Sequence, residues 1–576
     1  MGSKSADAAQ LSPASRSRAL NRLATETFDV LVVGGGVTGC GVALDAATRG
    51  LSVALVEKRD YAAGTSSRSS KLIHGGLRYL EHLDVKLVRE ALHERRSLLH
   101  TIAPHLVHAA PFLFPLRRPA VDRFIMGSGL LIYDGLAGMH PAVPAHRHLS
   151  QAACLRDVPA LRADAIRGGI RYFDAQVDDA RFVVEVARTA ADHGAVCAAA
   201  VRATSIRRSG GRLDGISVLD EESNQEFRVD ARVVVNATGV WTTETEKLAG
   251  ISQPLPVRPS KGIHVVVPRE RIASSYALII PTEKSVLFVL PWGAHWIVGT
   301  TDTDWALHLD HPAANRGDID YLLDEVNTVL TSPLVPDDVV GVYAGLRPLA
   351  GANGDTTRVS REHEVRLSAP GLVSVVGGKY TTYRRMAEDT VDAVLHELAR
   401  LDDRCGTAGP PSCTAGLPLL GARGLHEAPR RASAHPGAVH LSPGRLRRLL
   451  ERRGALALEV LDLVADDASL AHPLPGAEDH LLGEVRYAAS HEGALHIDDV
   501  LTRRTHISFE ARDRGHLAAG HVARIMAPVL GWDRAAVDRE VSHYRARLAA
   551  ELTAESMPDD ASADAVRARV RDLRLG

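Results

Sequence analysis

The sequence predicts an α/β chain of several domains: a parallel-sheet domain opens early, an antiparallel sheet interrupts it, and a helical region closes the chain. Three observations carry this. Asp29–Val33 reads as a short buried strand, Val37–Thr48 as a helix with small residues on its inner face and Ser52–Val56 as a second buried strand, which together make a βαβ opening. Between Gly262 and Trp305, the apolar runs His264–Pro268, Tyr276–Pro281, Val286–Pro291 and Trp296–Gly299 are punctuated by Gly, Pro and charged residues, as in an antiparallel meander. From residue 421 to Gly576 the chain is rich in Arg, Ala and Leu at helical spacing, which predicts an all-helical C-terminal domain.

Length agrees with several domains, because 576 residues exceed what one hydrophobic core organises. A second β-branched run, Ala231–Thr238, ends in Ala-Thr-Gly and adds a strand and tight turn. Leu372–Val376 is a further strand leading into Gly377-Gly378-Lys379, after which Thr381–Leu398 reads as a helix opened by a Thr cap. The Gly-, Pro- and Ser-rich stretch that follows, 407–420, reads as a linker.

Composition excludes several classes. A net charge of −2 gives no field that would gather nucleic acid. The five cysteines Cys40, Cys154, Cys197, Cys405 and Cys413 show no C-x-x-C pair and no metal-ligand spacing, so no metal is expected and a reducing, cytoplasmic setting fits. Residues 1–27 lack the apolar core of a signal peptide and read as a disordered extension. No run of 18 apolar residues is present, so any membrane contact is expected to be peripheral.

The chemistry begins at Val32-Val33-Gly34-Gly35-Gly36-Val37-Thr38-Gly39, a G-x-G-x-x-G run that follows a strand and opens a helix. Gly34 permits the tight turn, Gly36 lets a pyrophosphate approach the N–H groups at the positive helix end, and Gly39 allows close helix–strand packing. Glu57, 23 positions beyond Gly34, is placed to accept from a ribose hydroxyl. The fingerprint alone leaves NAD and FAD open. The turn Asn236-Ala237-Thr238-Gly239 and the strand–Gly377-Gly378–helix unit would bring a second loop and a second helix N-terminus to one long cofactor, which favours non-covalent FAD.

The run Gly64-Thr65-Ser66-Ser67-Arg68-Ser69-Ser70-Lys71-Leu72-Ile73-His74-Gly75-Gly76-Leu77-Arg78-Tyr79-Leu80-Glu81 resembles the signature of the FAD-dependent glycerol-3-phosphate dehydrogenases. Lys261-Gly262-Ile263-His264, Gly299–Asp304, Ala344–Leu349 and Gly377–Arg384 are similar to the family's further motifs, in the same order. The resemblance covers roughly Phe28 to Leu398. It implies a Rossmann-like FAD-binding domain of the D-amino-acid-oxidase/glutathione-reductase type, an antiparallel-sheet substrate domain and a helical C-terminal domain. The expected boundaries are 28–406 for the oxidoreductase core, with FAD-binding segments at about 28–110, 170–250 and 340–400 and the substrate sheet at about 255–340, then the linker and 421–576.

The same resemblance implies oxidation of sn-glycerol 3-phosphate to dihydroxyacetone phosphate, with electrons passing to a membrane quinone. A phosphorylated polyol needs fixed cations, and Arg78, Arg347, Arg361 and Lys379 supply them, with Tyr79 beside Arg78. His264 and His74 are the candidate proton acceptors, because neutral imidazole accepts a proton near neutrality; Arg347 is assigned to phosphate or alkoxide stabilisation. The hydroxyls of Ser66 and Ser70 and the amine of Lys71 suit the cofactor's phosphate and ribityl groups, and Val37, Thr38, Leu72, Ala237, Gly239, Gly378, Lys379, Thr381 and Thr382 join the expected cofactor contacts. Asp302 and Asp304 read as turn and pocket-wall residues, and Arg384 and Arg385 as structural.

Rival readings are an oxygen-using glycerophosphate oxidase, a flavin amine or 2-hydroxy-acid oxidoreductase on the same scaffold, and a silent flavin-binding scaffold. Arg117, Arg118 and Arg123 precede Phe124-Ile125-Met126 and Leu130-Leu131-Ile132-Tyr133, a basic and apolar segment that suits either the cytoplasmic face of the cell membrane or a buried helix with a charged end. The Arg-rich stretch Arg430 to Arg453 reads as a solvated helix face. No calcium-loop pattern occurs in the C-terminal part, which resembles the bacterial form more than the mitochondrial one. A homodimer is compatible with the sequence but not read from it.

Overall fold

The computed structural model describes residues 9–76, 85–116, 119–136, 142–209, 211–283, 286–351, 362–401 and 409–573. Its nucleotide domain is built on strands in the order His363–Ala369, Leu372–Gly377, Gln225–Asn236, Thr27–Val33, Val53–Glu57 and Val196–Ala199. In this order the last five run parallel to one another and the edge strand His363–Ala369 is antiparallel to Leu372–Gly377. Strand Thr27–Val33 shows why it sits centrally: Val30 and Val32 face one core while Phe28, Leu31 and Val33 face the other. The first core is covered by helices Val37–Thr48, Asp179–Asp192 and Tyr383–Leu401. The second is covered by an antiparallel meander, Val201–Ser209, Arg212–Asp220 and Gln225–Asn236.

The N-terminal expectation is corrected from residue 9 onward. Pro13–Thr25 is a helix capped by Ser12, whose side chain accepts from the Ser15 N–H. Ala19 and Leu23 pack into the second core, and Arg16 pairs with Asp220 on the meander. Residues 1–8 lie outside the described part.

A second, 10-stranded sheet runs Thr303–Asp304, Val257–Pro268, His295–Gly299, Val286–Trp292, Ala277–Pro281, Val107–Pro115, Gly168–Val177, Leu72–Ile73, with Gly341–Ala350 pairing Val257–Pro268 and Arg147–Ser150 pairing Gly168–Val177. The expected meander forms, but the sheet is not confined to about 255–340. Strands from 72–73, 107–115, 147–150 and 168–177 extend it beyond Ala277–Pro281, and 341–350 extends it beyond Val257–Pro268, because the chain leaves the nucleotide domain repeatedly and each excursion adds strands to the same sheet.

The 409–420 stretch is packed: the Leu419 N–H donates to the Ile102 carbonyl, and Ser412 donates to Asp45. The C-terminal region is helical apart from a two-stranded ribbon, Pro473–Leu474 with Ala477–Leu481, which corrects the all-helical expectation. The Arg-rich stretch is only partly a solvated face. Arg447 is exposed, whereas Arg453 is buried between Glu492, at 2.7 Å, and Glu484, at 3.5 Å. Among the described residues no helix is long and apolar enough to cross a membrane.

Candidate active site

A cavity of about 1880 Å³ lies where the parallel strands end and the second sheet begins. Small-molecule sites usually measure roughly 300–1,000 Å³, so this one has room for a long cofactor and a substrate together. At one end stands the glycine loop. Gly34 has φ +112°, and a Cβ there would lie 2.6 Å from the Ala237 carbonyl oxygen. A Cβ on Gly39 would fall 1.9 Å from the Gly34 oxygen, so glycine is required for helix and strand to approach. Gly36 is the extended N-cap of helix Val37–Thr48 and offers no side-chain cap. The Val37 N–H is taken by Ser66 Oγ at 2.9 Å.

Glu57 lines the cavity and also braces the loop: Oε2 accepts from the Gly35 N–H at 2.7 Å and Oε1 from the Arg59 N–H at 2.8 Å. Each carboxylate oxygen retains a second lone pair for a ribose hydroxyl. Val37, Thr38, Ser66, Ser70, Leu72, Ala237 and Gly239 line the same space.

The far end is made by the second glycine pair. Gly377 and Gly378 have φ +76° and +79°, and Cβ atoms there would meet the Glu362 oxygen at 2.9 Å and Met386 Sδ at 2.4 Å. Gly378, Lys379 and Thr381 line the cavity, with Thr381 Oγ1 donating to the His74 carbonyl at 3.3 Å. The helix here begins at Tyr383 after the short turn Tyr380–Thr382, not at Thr381. Thr382 is buried and does not face the cavity; its hydroxyl donates to the Lys379 carbonyl.

His264, Arg347, Lys379 and His74 are brought to one space. His264 pairs across the strands with Tyr343 and, on its other side, with Gly299. Its ring stacks on Tyr343 at 4.7 Å and 15°, and Nε2 lies 2.9 Å from Ser70 Oγ. Gly299 leaves the room for this, since a Cβ there would be 2.2 Å from His264 Cδ2. Burial, reinforced by the cations Arg347 and Lys71, holds the imidazole well below its ordinary pKa, so it is neutral at pH 7. Arg347 is aimed by Thr300 Oγ1 and the Thr301 carbonyl, both 3.0 Å from Nη2, with Asp302 Oδ1 3.5 Å from Nη1. Asp302 is thus a wall residue, whereas Asp304 pairs outward with Arg258. Arg78, Tyr79 and Arg361 lie outside the described residues.

Lys71, like Thr382, departs from the expected cofactor contacts. Lys71 does not reach the cofactor space: its side chain is fully buried and Nζ pairs with Asp179 Oδ1 at 2.6 Å. The cause is local, because Lys71 has φ +55°, which turns its side chain away from the cavity that Ser70 lines. The bland reading of Arg384 holds, since it grips Glu94 and Glu388. Sequence reasoning missed Val201, Arg202 and Ala203, which line the cavity beyond the edge strand Val196–Ala199. It also missed Trp241, whose ring lies 4.0 Å from Lys58 Nζ. No local pattern marks these residues; only the rule that ligands gather at the carboxyl ends of parallel strands points there.

These features define a flavin-dependent oxidoreductase. A family model described as FAD dependent oxidoreductase matches residues 29–384, and one described as the C-terminal domain of alpha-glycerophosphate oxidase matches 412–537. The chain belongs to the FAD-dependent oxidoreductases, with FAD as cofactor, and within them to the glycerol-3-phosphate dehydrogenases. It is 52% identical to glycerol-3-phosphate dehydrogenase 2 of Mycobacterium tuberculosis (strain ATCC 25618 / H37Rv) over 570 residues, 98% of this chain and 96% of that protein. It is 36% identical to the mitochondrial glycerol-3-phosphate dehydrogenase of Mus musculus, covering 88% of this chain and 71% of that one. The crystal structure of the Bacillus halodurans glycerol-3-phosphate dehydrogenase complexed with FAD aligns with a TM-score of 0.76 at 28% identity, covering 93% of this chain and 98% of that chain.

Proposed function

We propose that this chain oxidises sn-glycerol 3-phosphate to dihydroxyacetone phosphate and passes the electrons to a membrane quinone. The observation that carries the reading is that a neutral, buried His264 and the cations Arg347 and Lys379 line one end of the FAD cavity. The glycine cradle and Glu57 fit the ADP half of FAD, and the Gly378–Thr381 turn fits its ring end. FAD, when bound, accepts the hydride from the carbinol carbon. The chain's own residues supply the rest. Arg347 and Lys379, with Arg78 and Arg361, bind and orient the phosphate. The hydroxyl proton leaves through Ser70 Oγ to His264 Nε2, which is free to accept when the ring carries its proton on Nδ1. Tyr79 and His74 are assigned to substrate and ring orientation.

Contact with the cytoplasmic face of the membrane is supported by the helix Pro119–Leu136: Leu131 is 66% and Ile132 49% exposed, and Ile132 borders the same cavity.

The test is anaerobic absorbance of the FAD-loaded protein near the flavin band. Bleaching by glycerol 3-phosphate, and not by glycerol or a 2-hydroxy acid, is expected, followed by reoxidation on adding a quinone analogue. Bleaching by a 2-hydroxy acid or an amino acid alone overturns the substrate, and reoxidation by oxygen at the quinone's rate overturns the acceptor.

A further inference from the structure

Lys71 is a buried charge that the catalytic reading leaves without a task, and it lies beside Ser70 and Tyr343, the two partners of His264. Its left-handed backbone, φ +55°, is unfavourable for a residue with a Cβ. It is held there by three groups of contacts. Nζ meets Asp179 Oδ1 at 2.6 Å. The other Asp179 oxygen accepts from the Ser69 N–H at 3.2 Å and the Ser69 hydroxyl at 2.7 Å. Around the ammonium stand three rings, Trp292 at 5.1 Å, Phe509 at 5.4 Å and Tyr343 at 5.5 Å, within cation–π range.

The cage touches the site through two routes. Ser70, the preceding residue, reaches His264 Nε2, and Tyr343, a cage wall, is the ring on which His264 stacks. Phe509 comes from the C-terminal region and packs on Tyr343 at 5.1 Å. Its close approach depends on Gly341, where a Cβ would stand 1.9 Å from the Phe509 oxygen. Trp292 is fixed from the same region, its Nε1–H donating to Glu510 at 2.7 Å.

We propose that Lys71 is a positioning residue for His264, and that Phe509 completes its cage, so that the C-terminal region takes part in setting the proton acceptor's charge state. A cation buried among rings, with little water to screen it, opposes a second positive charge on the neighbouring imidazole. Among the described residues, the groups facing His264 are Ser70 and Lys71 from one loop, Arg347 and Tyr343 from strand Gly341–Ala350, and, behind Lys71, Asp179 from helix Asp179–Asp192. The inference rests on His264 as the proton acceptor.

The test is the pH dependence of kcat/KM for glycerol 3-phosphate in the FAD-loaded full chain. Lys71→Met removes the cation, and the acid limb is expected to rise by about one pH unit, a tenfold loss on the acid side. Asp179→Asn leaves the ammonium unneutralised and should move the limb the other way. Lys71→Arg restores the charge and the limb, and Phe509→Leu, which opens the cage, shifts it as Lys71→Met does but less. The imidazole resonances of labelled histidine, with that of His264 identified by its loss in His264→Gln, should titrate with the same displacements. If His264→Gln keeps full turnover, the proton-acceptor reading fails. If it is inactive while the limb stays unmoved in Asp179→Asn and Phe509→Leu, only the role of Lys71 is overturned; these two variants decide the question even if Lys71→Met does not fold.

Discussion

Arg504 grips Asp60 in a buried two-pronged pair, with Nη1 2.8 Å from Oδ2 and Nη2 2.8 Å from Oδ1. Both side chains are at most 1% exposed, and Arg503 shares the same carboxylate. The pair ties the C-terminal region to the loop that follows Glu57. Asp60→Ala would leave two buried guanidiniums short of a partner, at a cost of about 3–5 kcal/mol. Chemical denaturation of the FAD-loaded protein should show the midpoint falling accordingly; a change below about 1 kcal/mol would mean that water or Asp499 replaces the lost partner.

Gly39→Ala places a methyl group 1.9 Å from the Gly34 oxygen, against backbone that cannot yield cheaply. The expected result is a folded protein that is isolated with little FAD, read as the ratio of flavin to protein absorbance. Full flavin content in this variant would contradict the close helix–strand approach at the cradle.

Gly262→Ala acts at the other end. Its Cβ would lie 2.5 Å from Arg347 Nη2 and 2.6 Å from Thr300 Oγ1, so the guanidinium must move. A displacement near 1 Å at a positioned group costs up to about 100-fold. We expect kcat/KM to fall by about that factor while flavin content and thermal midpoint stay within the range of the parent protein.

Acid stability has an identifiable contributor in His480. Burial, with the Arg452 cation beside it, brings its pKa down to about 3. A histidine in the unfolded chain binds its proton near pH 6.5, so below that pH the unfolded state gains protons that the folded state refuses. The contribution is therefore fully present above pH 6.5 and is lost progressively as pH falls towards 3. Between pH 7 and pH 5 the parent should lose about 2 kcal/mol more than His480→Gln. Equal pH slopes for the two proteins in urea titrations would rule out His480 as the source.

The nucleotide domain was legible because its signals are local. Helix Val37–Thr48 was placed at its observed bounds, since a glycine loop, small residues and flanking buried strands all fall within one short window. The pairing of Leu72–Ile73 and Val107–Pro115 with Gly168–Val177 was not legible, because no strand carries in its own residues the identity of its neighbour. The helix Pro13–Thr25 was missed since only Ala19 and Leu23 mark its buried face among charged and polar residues. At the site, His264, Arg347 and Lys379, named from residue type and order, line one cavity, but a left-handed φ at Lys71 leaves no trace in the sequence and turns its ammonium away from that cavity.

The parallel strand Thr27–Val33 pairs with Gln225–Asn236, which in turn pairs with Leu372–Gly377. During synthesis the first strand therefore leaves the ribosome long before either of the later two. At about 5–20 residues per second the wait for Gly378 is on the order of 20–70 s. For the first part of that interval the Gly34 loop exists without Ala237, and the edge of an apolar strand is open to wrong partners; until its end Gly378 is still missing. Loading of FAD must then be a late event in the life of the nascent chain, and cofactor supply in the cell would govern the yield of finished protein rather than the early course of its folding.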